Sequence, residues 1–370
     1  MKFLKCFCFL LFFSTVSEAQ ILYDNDSKQL IIKGLDKLYN YEFKEADAYF
    51  QKVKAKYPQH PVTALLAAIQ LQWQNLPIEQ NPKILAQYMA ILEKCLELAE
   101  PMLADKDKFA EATFFMLAAH GYIALSHNYM KEFMKAGNQA RKAYGYLKDG
   151  FKLMEKNPDF YSSTGLYNYY RVQYPESHPI VKPIVLFFGG GDKKLGLEQM
   201  DLASKKALFT KVETMNFLVT IYLKYENLPH KALIYSTLLH EKYPNNLVYA
   251  MQHTEALIAA GKYEEAIPNI EILHKSPDKT YQLATDVFEG VIAEKYKKND
   301  KLAASFYWAS FKFPHDEHYT KNYHAMAYAG IARIYNRQND KVKAKEFYKK
   351  CLDIADYKGV EDEAKSFLKQ

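Results

Sequence analysis

Cysteine is scarce in this chain of 370 residues, with four in all. Cys6 and Cys8 fall in an apolar run near the N-terminus, and Cys95 and Cys351 stand far apart with no CxxC or Cys/His spacing around them. A disulfide framework and a cysteine-ligated metal site are excluded, and both distant thiols read as small buried hydrophobes in helical patterns. Glycine and proline are few, 14 of each, and they mark helix ends more often than strand turns. Period-two alternation is missing, which excludes an all-β reading. Charge of one sign is missing too: the formal charge is only +6, and Lys and Glu alternate along helices, as from Lys262 to Glu265 and from Lys341 to Glu346. Such mixed faces are solvated surface and exclude the one-sided basic stripe of a nucleic-acid binder.

Catalytic signatures are also lacking. No G-x-S-x-G elbow, acid pair or Cys/His arrangement stands out. The segment from Gly189 to Lys194, GGGDKK, fails as a phosphate loop because both lysines precede Gly196, no Ser or Thr follows, and Asp192 would repel an anion. It reads as a tight turn ahead of a helix that Asp192 caps. His315, His318 and His324 with Asp316 and Glu317 follow Pro314, where a polar connecting loop is expected, and they form no H-E-x-x-H pair. No metal and no cofactor are expected.

What is present is helical periodicity from end to end and a 15% aromatic content that includes 30 tyrosines, too rich for a disordered chain. A small residue is followed 12 on by an apolar or small residue, then 4 on, with a helix stop 8 further on. Gly34, Ala46, Phe50 and Pro58 fit, as do Thr220, Ala232, Ser236 and Pro244, then Gly290, Leu302, Phe306 and Pro314. This is the mark of stacked helix pairs. Small side chains let the two axes of a pair approach, and the prolines stop the second helix. Ala232 and Ala266, like Thr220 and Thr254, keep a step of about 34 residues. Together with the interhelix segments 38–46, 261–267 and 339–348, these residues resemble the tetratricopeptide-repeat family. The resemblance implies an all-α, right-handed α-solenoid that binds a protein or peptide partner and performs no chemistry.

Residues 1–19 carry Lys2 and Lys5, the apolar run Cys6 to Phe13 and the ending Ser17-Glu18-Ala19, the parts of a secretory signal, and the apolar run is short of the ~20 residues of a spanning helix. The mature chain then starts at Gln20, and the protein is expected to be exported, periplasmic or secreted, with no strong membrane insertion after signal removal. The Lys-heavy, Arg-poor composition resembles exported proteins of Bacteroidota. Helix-pair repeats are expected over 20–158 and 209–370, the latter closed by a capping helix, around an atypical insertion at 159–208.

That insertion contains the stretch 161–179, the apolar run Ile184 to Phe188, and the stretch 187–200 with its glycine turn. This order resembles the eukaryotic inclusion-body clearance family of tetratricopeptide proteins over about 110–275, which implies helical repeats without catalytic residues. Helical spacing brings Tyr167, Tyr170 and Tyr174 together beside Arg171, a surface able to hold a peptide or sugar, while the same stripe could equally be packing between helices. Tyr222, Tyr249, His253, Tyr328 and Tyr335 are the candidates for lining a concave groove. Two other functions remain open at this point: an envelope hydrolase or glycan-processing accessory using the tyrosine segment, and a membrane-contacting protein using Ile184 to Phe188.

Overall fold

A computed structural model describes residues 20–177, 188–317 and 319–369. Among the described residues there are seventeen α-helices and no strand. The leader, the segment Ile184 to Phe187 and His318 lie outside them. The helices are α1 (Asn25–Tyr39), α2 (Phe43–Lys56), α3 (Pro61–Gln74), α4 (Pro82–Ala99), α5 (Phe109–Tyr129), α6 (Phe133–Leu153), α7 (Phe160–Ser177), α8 (Lys193–Lys206) and α9 (Lys211–Lys224). They continue as α10 (Pro229–Lys242), α11 (Leu247–Ala259), α12 (Tyr263–His274), α13 (Lys279–Lys295), α14 (Asp300–Ser310), α15 (Lys321–Arg337), α16 (Lys341–Ile354) and α17 (Lys358–Leu368).

Each odd-numbered helix from α1 to α15 packs against the helix that follows, and each pair packs on the next. First helices also touch across pairs, α1 with α3, α9 with α11, α11 with α13 and α13 with α15. The chain is an α-solenoid of stacked helix pairs. Residues 159–208 supply the fourth pair, α7 and α8.

The repeat is built around one turn. Tyr41, Lys131, Asn227, Gly261, Lys298 and Asn339 each adopt a left-handed conformation, with φ from 52° to 75°, in the turn inside a pair. Such a residue ends a helix and aims the next one back along it. Five residues on from each stands an alanine: Ala46, Ala136, Ala232, Ala266, Ala303 and Ala344. All but Ala136 are fully buried. In the pair α13–α14 this places Ala303 and Tyr307 in the core, one residue later than the expected Leu302 and Phe306, which are only partly buried. Tyr307 lies flat between two first helices: a Cβ on Gly290 would sit 2.5 Å from its ring, and one on Gly330 2.2 Å. Asparagine and aspartate side chains start the helices, among them Asn81, Asp278, Asn299 and Asp192, the last accepting from the Leu195 amide at 3.0 Å as expected.

Cys95 and Cys351 are buried, and burial pushes both thiols up to about 12.

Candidate functional site: the inner face of the solenoid

First helices line the inner face, and at the N-terminal end the chain closes across it, leaving a cavity of about 980 Å³ beside the closure. The Tyr243 hydroxyl donates to Asp36 at 2.7 Å, Lys242 pairs with the same carboxylate at 2.7 Å, and the Asn246 side chain donates to the Tyr39 carbonyl at 2.8 Å. The first pair therefore closes on the fifth and sixth. Between them lies a knot of rings: Tyr39 meets Trp73 edge-on at 5.1 Å, and Trp73 meets Tyr249 at 5.8 Å. Glu213 faces this knot and accepts from Tyr122 at 2.8 Å, and burial raises its pKa above the ordinary carboxylate range. Tyr249, expected on an open groove, is fully buried here.

The other expected groove residues turn toward second helices. Tyr222 is buried and stacks on Tyr235 of α10 at 6.1 Å. His253 bonds Ser236 of α10 at 3.0 Å, and burial lowers its pKa to about 4. Tyr328 stacks on Phe311 at 4.5 Å, and Tyr335 stacks on Phe347 of α16 at 5.6 Å. These rings glue helices to one another instead of facing a ligand.

Residues that do face the inside lie elsewhere in the same helices. Leu223, Ile258, Val291 and Met326 line a cleft of about 280 Å³ along α9, α11, α13 and α15. They recur at a spacing of about 34 residues, a signal available in the sequence but masked by the more conspicuous aromatics. Charged groups form the walls: Glu255, Lys295, Arg333 and Glu363. Burial pushes the Glu255 carboxyl up to about 7, against a bond from Tyr357 and one from Tyr323 at 3.3 Å. The Arg333 guanidinium, and burial after it, lower the pKa of Lys295. Arg333 makes a two-pronged contact with Glu294, at 2.9 and 2.8 Å, and Arg337 adds another bond at 2.9 Å. Burial opposes ionisation of Glu294, yet these arginines hold its pKa down at about 2.

The tyrosine-rich helix α7 does not present one platform. Tyr167 donates to the Gly189 carbonyl at 2.8 Å and packs on Tyr144, while Arg171 donates to the Phe188 carbonyl at 3.3 Å. Tyr170, on which the hydrolase reading leaned, packs edge-on against Tyr169 and Tyr225 at 5.4 and 6.0 Å. Tyr174 is 47% exposed. The glycines around this helix are there for space: a Cβ on Gly165 would lie 2.8 Å from the Gly196 carbonyl, and one on Gly191 2.6 Å from the Asn168 carbonyl. None of Gly189, Gly190 and Gly191 has a positive φ, so the expected tight glycine turn is instead a close crossing of α7 and α8.

Among the described residues no group of three or more His, Cys, Asp or Glu side chains could hold a metal, and no helix is long and apolar enough to cross a membrane. His315 pairs with Glu317 at 3.0 Å and stacks on the buried His324.

No protein-family model matches the chain, and no curated protein matches it. Solved structures similar to it include yeast Tom70 (13% identity, 84% of this chain and 63% of that one, TM-score 0.39). A tetratricopeptide repeat protein from Parabacteroides merdae is similar at 14% identity over 93% and 98% of the two chains, TM-score 0.27. The human IFIT1 dimer with PPP-AAAA is similar at 13% identity over 89% and 94%, TM-score 0.35. The chain thus spans less than two thirds of the Tom70 chain.

Proposed function

We propose that this protein is a non-catalytic helical-repeat scaffold of the cell envelope, exported by its N-terminal leader, which binds a protein or peptide through the inner face of its C-terminal helix pairs. The observation that carries this reading is the cleft along α9, α11, α13 and α15. Its floor is apolar and its walls bear both signs of charge. That combination suits an amphipathic segment, which buries one face and pairs the other. A nucleic acid would need a cationic track, and Glu255 of α11 argues against one.

The test is capture from an envelope extract by the mature chain, by the inner-face variant Lys295→Glu/Met326→Arg and by the outer-face variant Lys349→Glu. A specific partner retained by the outer variant and lost by the inner one is expected. No partner at all, or one indifferent to both changes, contradicts the reading.

A second reading, membrane contact, draws support from the tip between α5 and α6, where Phe133 is 67% exposed and Met134 83%. Liposome flotation unchanged by Phe133→Ser/Met134→Ser would dismiss it.

A further inference from the structure

Helix α17 packs on α16 and α15, and the segment leading into it runs from the end of α16 back across the first helices toward the turn after α9. Its contacts follow the logic of recognition. Asp356, just before the helix, meets Lys224 of α9 at 2.5 Å and Lys321 of α15 at 3.4 Å. Tyr357 hydrogen-bonds Glu255 of α11. Gly359 approaches the Asn227 side chain so closely that a Cβ would lie 2.7 Å from its Oδ1. Glu363 accepts from Arg333 of α15 at 2.9 and 3.1 Å and from Tyr348 at 2.9 Å, and Ala364 is fully buried. Two acids, an aromatic and two small residues of one short segment are thus each met by a complementary group. Three different first helices supply most of these groups.

The fit is incomplete. About 280 Å³ stays unfilled between α17 and the apolar floor, with Lys295 on its wall. Ala355 and Tyr357 are extended, so the segment can leave without unwinding α16.

We propose that α17 is an internal ligand of the inner-face cleft, and that the outside partner is an amphipathic helix carrying the same pattern. That pattern is an acid followed by an aromatic, a small residue two places after the aromatic, and a second acid seven places after the first. The proposal rests on the inner-face reading above. A tethered ligand acts at millimolar effective concentration, so the intact chain is masked until a partner fills the cleft more completely, for instance with a larger apolar residue where Val360 stands and a carboxylate near Lys295.

The test uses a fluorescent peptide of residues 355–369 and three mature chains: intact, ending at Ile354, and full-length with Asp356→Lys/Glu363→Lys. Circular dichroism checks that each is folded. The peptide should bind the shortened and charge-reversed chains at least about tenfold more tightly than the intact one. Lys224→Glu in the shortened chain should weaken binding about thirtyfold, and a peptide carrying Asp356→Lys should restore it. If the shortened chain does not fold, the charge-reversed chain, whose cleft is complete, decides. Folded chains that bind the peptide no better than the intact one, absence of rescue by the charge swap, or loss of folding in the charge-reversed chain as well, would overturn the proposal. A partner captured equally by intact and shortened chains and not displaced by the peptide would also overturn it, while leaving the inner-face reading standing. Capture indifferent to the inner-face variant sinks that reading and with it the partner half of the proposal, whereas the peptide experiment alone decides whether α17 is a ligand of the cleft.

Discussion

Asp159 shows how much one residue can hold. Fully enclosed ahead of α7, it accepts from the amides of Leu208, Phe209 and Thr210 at 3.3, 2.8 and 2.8 Å and from the Thr210 hydroxyl at 2.9 Å, fastening the fourth pair to the fifth. Asp159→Ala leaves these donors buried without an acceptor and is expected to cost about 3 kcal/mol, with Asp159→Asn intermediate, by urea unfolding. A loss below about 1 kcal/mol would contradict the role given to it. The glycines offer a sharper contrast. Gly165→Ala and Gly196→Ala force α7 and α8 apart and should each cost roughly 2–3 kcal/mol, whereas Gly190, with nothing within 4 Å of a Cβ and no positive φ, should accept alanine within about 0.5 kcal/mol. Composition alone suggested a turn at Gly189 to Gly191 and gave Gly165 and Gly196 no role. It could not show that the neighbour forbidding a side chain is a carbonyl about 30 positions away in the chain.

At the scale of helices, the C-terminal pairs carry two buried carboxylates of opposite behaviour. Glu294, held near 2 by Arg333 and Arg337, stabilises the fold fully above its unfolded value near 4.5, and that contribution is lost as pH falls through about 2. Glu255, raised to about 7 by burial, does the reverse: it costs nothing while protonated below about 4.5 and destabilises as pH rises through 7. Each effect amounts to about 3 kcal/mol. Stability should therefore rise as pH is lowered from 8 to about 4.5 and fall below that. Glu255→Gln should flatten the upper limb and Glu294→Gln the lower one, in urea midpoints measured across pH; unchanged limbs would contradict these assignments. The helices themselves were legible. The interhelix segments 38–46, 261–267 and 339–348 fall where α1–α2, α11–α12 and α15–α16 turn, because breakers and alanines act locally. The left-handed residue five before each alanine was not legible, since only one of the six is glycine. Which stripe faces inward was not legible, because an aromatic that packs pair on pair has the same spacing as one that faces a ligand.

Over the whole molecule, the winding decides what the inner face can do. Asp36, Tyr39 and Asn40 of the first pair bond Tyr243, Asn246 and Asn245 more than 200 residues later, and Trp73 packs on Tyr249 beside them. Such closure leaves no periodic trace in the sequence, which is why an open groove running the full length was the natural expectation. At the N-terminal end a cavity of about 980 Å³ remains between the first pair and the fourth and fifth, with Asp36, Tyr39 and Tyr243 on its wall. The most direct test of this account joins the two ends of the closure. In a mature chain carrying Asp36→Cys and Lys242→Cys, whose native Cys95 and Cys351 are buried, a short bismaleimide should link the two new thiols within one molecule in high yield and leave the peptide-binding cleft working. Thiols that react singly and stay unlinked would mean that the solenoid is open at its N-terminal end.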